Sequence, residues 1–297
     1  MKTKSQITDE YRTTSTIKTL LETYQEIAAI RMQKVRTSVL ANREFLDELN
    51  GIYHQLRYSY ETQLMEERAN KKHKKKIDTS IIKRNGKTIV VLMSSNTGLY
   101  GSIIVDIFRR FANYLNTTKD NPDVAIIGRR GLAQFREVFP NRKYAYFALE
   151  DHIVISKDIS DIVDTLVEYE KVTVFHGKYE SILTQIPVES NISGELPYKA
   201  EEAAKYAKEE ENIKYLYEPS LEKILAFFET EIMASIFEQT VYESNLTKFA
   251  ARMINLDSSI VNISDTLKKM NILRQQTKHR DFNKKQISTI SGISLWS

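Results

Sequence analysis

Two glycine-bearing segments have residue types that could hold a phosphate. Gly86-Lys87-Thr88 ends as a phosphate-binding loop ends, but that motif needs a glycine five positions before Gly86, where Ile81 stands. It must also follow a strand, and this segment precedes one. Ser94 to Gly101 (SSNTGLYG) does follow a β-branched run and opens a helical pattern, so its backbone amides could face an anion. It lacks the G-x-G-x-x-G spacing, and a structural strand-to-helix turn is the simpler reading. The histidines His54, His73, His152, His176 and His279 stand far apart, with no metal-ligand spacing among them. The absence of cysteine excludes disulfides, thiolate metal sites and cysteine nucleophiles. Carboxylates are plentiful but spread along helical patterns, which leaves paired-carboxylate catalysis no anchor. Lys71 to Lys76 (KKHKKK) could contact phosphates or lipid head groups, or serve as a solvated connector, since like-charge blocks resist folding. The residues point to no catalytic, cofactor or metal site.

The elements that would carry these segments are unevenly distributed. The five prolines lie between Pro122 and Pro219, and seven of the nine glycines lie between Gly86 and Gly194. Both ends are therefore free to form long helices around a globular centre. In the C-terminal arm Leu246, Phe249, Met253, Leu256, Ile260, Ile263, Leu267 and Met270 alternate spacings of three and four. That is the repeat of a coiled-coil seam. Ala28, Met32, Val35, Val39, Asn42, Leu46, Leu49, Tyr53 and Leu56 keep the same repeat in the N-terminal arm, with Asn42 as a polar member able to fix register. Two such arms on one chain pair most simply as an antiparallel coil. The alternative is that each packs on the core as an ordinary amphipathic helix. Helical from Pro219 onward, the second arm would be about 115 Å long.

Between the arms, strand and helix signals alternate. Strands are predicted at Lys87–Ser94, Val124–Gly128, Lys143–Leu149, Val172–His176 and Ser181–Val188, and helices at Ser102–Leu115, Gly131–Val138 and Asp158–Tyr169. Glu201 to Glu211 reads as a charged loop or short surface helix. The predicted class is α/β: a long antiparallel coiled coil of N- and C-terminal helices plus a small Rossmann-like, mostly parallel α/β unit. The predicted boundaries are 1–76 for the first helix, 77–214 for the globular unit and 215–297 for the last helix.

Composition narrows the function classes. The apolar runs are far shorter than the roughly 20 residues of a membrane span. Met1 to Glu22 has no apolar secretory stretch, so a cytoplasmic chain is expected. A net charge of +4, from 43 basic against 39 acidic residues, is a weak argument for nucleic acid. A basic coiled-coil nucleic-acid binder stays only as a remote alternative.

The C-terminal arm resembles a known family. Ala251-Arg252-Met253-Ile254-Asn255-Leu256, Asn262, Leu267-Lys268-Lys269-Met270 and Ile290-Ser291-Gly292 resemble the ARM-x-A-M, N, IKEL and IVSG stations of the F-type ATPase gamma subunit, at the family's spacing. Tyr215-Leu216-Tyr217-Glu218-Pro219 is similar to its YLYEP. Ile27-Ala28-Ala29 with Arg31-Met32 resembles its VAASKM, and Ser94 to Gly101 its S-x-x-GLCG turn. The resemblance implies a non-catalytic central rotor shaft without cofactor, one copy per hetero-oligomer. Its implied partners are a ring of alpha and beta catalytic subunits, an epsilon-type subunit and the membrane ring, with no nucleic acid, at the inner face of the cell membrane.

It also places the contacts with the catalytic ring. These are Tyr24, Lys278, His279, Arg280, Lys284, Lys285, Ile287, Ile290, Leu295 and Trp296. Several depart from the family's pattern: its Arg-Gln pair falls on Lys278-His279, its later Gln-Glu pair on Lys284-Lys285, its KITKAM on Thr19 to Tyr24, and its turn cysteine on Tyr100. Point charges there replace planar bidentate donors. The departures leave open a specialised paralogous motor, coupled to gliding motility in place of protons.

Overall fold

The computed structural model describes residues 3–70, 84–151, 156–193, 218 and 220–293. Lys71 to Lys76, His152, Glu201 to Glu211, Tyr215 to Tyr217, Leu295 and Trp296 lie outside the described residues.

Helix α1 (Lys4–Asn70) and helix α5 (Leu221–Ile293) have 67 and 73 residues, which makes them about 100 and 110 Å long. Neither contains a proline, and α1 takes in Gly51 without a break. Between them the chain runs β1 (Thr88–Met93), α2 (Ile103–Thr117), β2 (Asp123–Ile127), α3 (Arg129–Val138), β3 (Ala145–Phe147), α4 (Ser156–Leu166), β4 (Lys171–Tyr179) and β5 (Gln185–Asn191).

The strands form one sheet in the order β3-β2-β1-β4-β5, parallel throughout except for the antiparallel pair β4–β5. A central parallel strand is covered on both faces and so reads as an unbroken apolar run, which TIVVLM in β1 is. One face packs Ile89, Val91, Val172 and Val174 against Ile159, Ile162 and Leu166 of α4 and Met233, Phe237 and Val241 of α5. The other packs Val90, Leu92, Val124 and Phe175 against Ile107 and Phe111 of α2, Phe135 of α3 and Ala251 of α5. Helix α5 thus belongs to both layers as well as to the coil.

One predicted strand shifts. The chain was expected to be extended over Ser181–Val188, but β4 continues to Tyr179 and the hairpin turns at Ser181–Thr184, where the Thr184 amide donates to the Ser181 carbonyl at 3.3 Å. Pro187, which has no amide hydrogen, is tolerated because β5 is an edge strand.

The two long helices run antiparallel. Gln25 donates to Asp257 at 3.2 Å, Asn42 to Gln239 at 3.1 Å and Tyr53 to Glu229 at 3.1 Å, so the partner's number falls as that of α1 rises. Leu49, Tyr53, Leu56, Leu221, Leu225 and Ile232 make one buried cluster at the lower end, and Val35, Val39, Leu246 and Phe249 another beside the sheet. Past Met270 the pairing goes on with polar members: the Arg274 guanidinium lies 5.0 Å from the Tyr11 ring, and Thr277 and Asp281 are half-buried at the same spacing.

Candidate functional site

Among the described residues, the turn after β1 carries the densest polar chemistry. Leu99 and Gly101 both take left-handed backbone, with φ of 72° and 60°. A leucine there is strained, and such strain persists only where neighbours fix it. The fixing groups come from afar. The amides of Asn96 and Thr97 donate to Asp151 Oδ2 at 2.9 and 3.0 Å, and the Tyr100 hydroxyl donates to the same oxygen at 3.3 Å. The anion that this turn can face is therefore the chain's own carboxylate.

Helix α5 closes the arrangement. Lys248 Nζ donates to Asp151 Oδ1 at 3.2 Å and to the Ser94 carbonyl at 3.3 Å. One turn on, Arg252 donates through Nη2 to Thr97 Oγ1 and to the Gly98 carbonyl, both at 2.8 Å, and its guanidinium stacks 4.1 Å from the Tyr100 ring centroid. Burial by itself would raise the Asp151 carboxyl, but Lys248 and the two amides outweigh it and hold the group below the usual carboxylate range. Burial, then the Asp151 charge, pushes the Tyr100 hydroxyl up to about 12. The result is an ionic knot between the turn, the Asp151 loop and the long helix.

A second tie lies at β4. The Thr247 hydroxyl donates to the Gly177 carbonyl at 2.9 Å, and a Cβ on Gly177 would stand 2.6 Å from Thr247 Cγ2. Glycine is required because helix and strand touch backbone to side chain. An open parallel sheet ordinarily receives its ligand outside the carboxyl ends of its strands. Here Lys248 and Arg252 fill part of that crevice, and what the sheet grips is a helix.

The sequence-predicted residues fall into separate places. Of the seam positions, Val35, Val39, Leu49, Tyr53, Leu246, Phe249 and Leu256 are buried, while Met32, Asn42, Leu46, Met253, Ile260, Ile263, Leu267 and Met270 are half-buried. Asn42 also donates to the Ser235 carbonyl at 3.1 Å. Of the ring-contact positions, Lys278, His279, Arg280, Lys284 and Lys285 are exposed, as are Ile287 at 65% and Ile290 at 67%. Tyr24 is exposed at 50% but lies level with Asp257, so the 21 residues from there to Lys278 put it about 30 Å from that cluster. Sequence reading missed Asp151, Lys248 and Thr247. The available signal was a lysine set within the apolar run Leu246 to Ala251. Among the described residues no group of three His, Asp or Glu could hold a metal ion, and no helix is long and apolar enough to cross a membrane.

A family model described as ATP synthase matches residues 3–291, nearly the whole chain. The chain belongs to the ATP synthase gamma family. Among relatives, it is 29% identical to the ATP synthase gamma chain of Desulforamulus reducens over 223 residues, covering 70% of this chain and 73% of that one. It is 21% identical to the gamma chain of Ruthia magnifica over 284 residues, covering 90% of each. Its fold is similar to a chain of the Tetrahymena thermophila mitochondrial ATP synthase central stalk, with 19% identity and a TM-score of 0.56 over 81% of this chain and 99% of that one. A chain of the Euglena gracilis enzyme gives 13% identity and a TM-score of 0.50, over 89% and 93%. The gamma family thus accounts for both the paired terminal helices and the α/β unit that grips them.

Proposed function

We propose that this gamma-family chain is the central rotor shaft of an F-type ATPase, coupling the nucleotide cycles of an alpha/beta catalytic ring to rotation. It is a single, non-catalytic copy in a hetero-oligomer, held at the inner face of the cell membrane through its partners, an epsilon-type subunit and the membrane ring. The relatives named above are ATP synthase gamma chains, and they do not favour the specialised gliding motor.

One observation carries this reading: a two-helix shaft is fastened to a rigid α/β unit by Asp151, Lys248 and Arg252, so that torsion on the helices reaches the unit without slip. By the register of Arg274 on Tyr11, about a dozen residues of α5 lie past the level of Lys4, the first residue of α1. Ile287 and Ile290 are bare there, and a sheath from the catalytic ring would bury roughly 1.5 to 3 kcal/mol per large apolar side chain. The cations Lys278, Arg280, Lys284 and Lys285 just before them would meet acidic or carbonyl-rich ring loops and steer assembly in a salt-dependent way.

Truncation of Ile287 to Ser297 tests this in the assembled complex. Lower ATPase turnover or weaker assembly is expected; wild-type assembly and turnover would leave a solvated tail as the better account. The purified chain by itself is expected to release no phosphate from ATP, and steady turnover that copurifies with it would overturn the non-catalytic assignment.

A further inference from the structure

The carboxyl ends of β1, β2 and β3 open onto a recess of about 470 Å³ that the ionic knot does not fill. Three arginines from three different elements line it: Arg31 of α1, Arg129 at the start of α3, and Arg252 of α5. Asp151 is on the same wall, but its charge is already met by Lys248. Glu150 is the one other acid on the lining. Three cations therefore face a single carboxylate that Lys248 does not neutralise.

Among the described residues neither Arg31 nor Arg129 has an acidic partner, and the Nε of Arg252 is buried with no hydrogen-bond partner. Like charges that line one partly enclosed space repel. A small anion in the recess relieves that repulsion.

We propose that this recess binds a compact dianionic oxyanion of the phosphate class, either free or as the monoester of a small metabolite. The planar fork of arginine matches such a group with paired hydrogen bonds, which a lysine cluster would not. The recess lies within the size range of small-ligand sites, at the end of the sheet where open α/β folds take ligands. The Asn96 and Thr97 amides are spent on Asp151, so the anion is held by side chains and not by a backbone cradle. That arrangement suits one phosphate group and offers no loop to wrap a triphosphate. The site stands independently of the shaft reading, since it uses none of the unpaired end of α5.

Calorimetric titration of the full chain with inorganic phosphate tests it, with ionic strength held constant by sodium chloride. Saturable binding is expected, weakened about tenfold or more by Arg31→Gln and by Arg129→Gln and unchanged by Arg109→Gln on α2. Both substituted residues keep a surface position, and matching thermal melts would separate lost binding from lost folding. A parallel titration with glycerol phosphate names the source, because whichever form binds more tightly is the better ligand. Absence of saturable uptake of either, or uptake that survives both substitutions, overturns the proposal.

Discussion

Lys248 and Asp151 meet at 3.2 Å although 97 positions separate them, and their side chains are only 6% and 7% exposed. A buried pair of this kind gives little net stability over an apolar pair, yet breaking it is costly because the survivor keeps an uncompensated charge. Its value here is positional: each partner is also bound to the turn after β1, so the three segments have one mutual arrangement.

Asp151→Ala should therefore destabilise the chain by roughly 3 to 5 kcal/mol, measured by urea denaturation. The double variant Asp151→Asn, Lys248→Met removes both charges and should recover most of that loss. If the single and double variants are equally unstable, the buried charge is not the cause.

Phe249 is completely enclosed between α1 and the sheet, packed with Val35, Val39 and Leu246. Phe249→Ala should cost roughly 3 to 5 kcal/mol through lost transfer energy and a cavity. Ile260→Asp, half-buried higher in the coil, should cost less in the isolated chain. A reversed order in thermal melts would contradict this packing.

Gly177→Ala brings a methyl group against Thr247 and should cost roughly 1 to 3 kcal/mol by overpacking. Adding Thr247→Ser keeps the hydroxyl bond to the Gly177 carbonyl but removes the clashing methyl. Rescue in the double variant is the expected result of comparative melts.

His176 supplies a pH dependence. Its ring is within 2.8 Å of Ser190 Oγ and 3.1 Å of the Gly177 carbonyl, so Nδ1 donates to the carbonyl and Nε2 accepts from the serine. Burial pulls its pKa from 6.5 to about 4, with the carbonyl opposing and Lys178 adding a little. The unfolded chain thus binds a proton at higher pH than the folded one. Stability is complete above 6.5 and is lost as pH falls towards 4, on the order of 3 kcal/mol over the window. In His176→Gln that slope should flatten, which denaturation midpoints at pH 7 and pH 5 would register.

What the sequence determined by itself was local. The absence of proline from both ends, the spacing of three and four from Ala28 to Leu56 and from Leu246 to Met270, and the alternation of β-branched runs with amphipathic stretches are written in near neighbours. They specified two long helices and a mostly parallel α/β unit, and the motif residues specified the family. A repeat tells which face of a helix is buried, but any shift by a heptad satisfies it equally. The register of Gln25 on Asp257 and Asn42 on Gln239 came only with the fold. The same holds for β5, whose position was misread because nothing in residues 176 to 184 marks where a paired strand will stop. Ser94 to Gly101 was legible as a turn able to face an anion, but the anion is Asp151, from another loop, answered by a lysine from a third element. Electrostatic partners separated by this much chain have no common period or spacing. Only tertiary structure decides them, because their energy depends on distance in space and on the water that folding removes from between them.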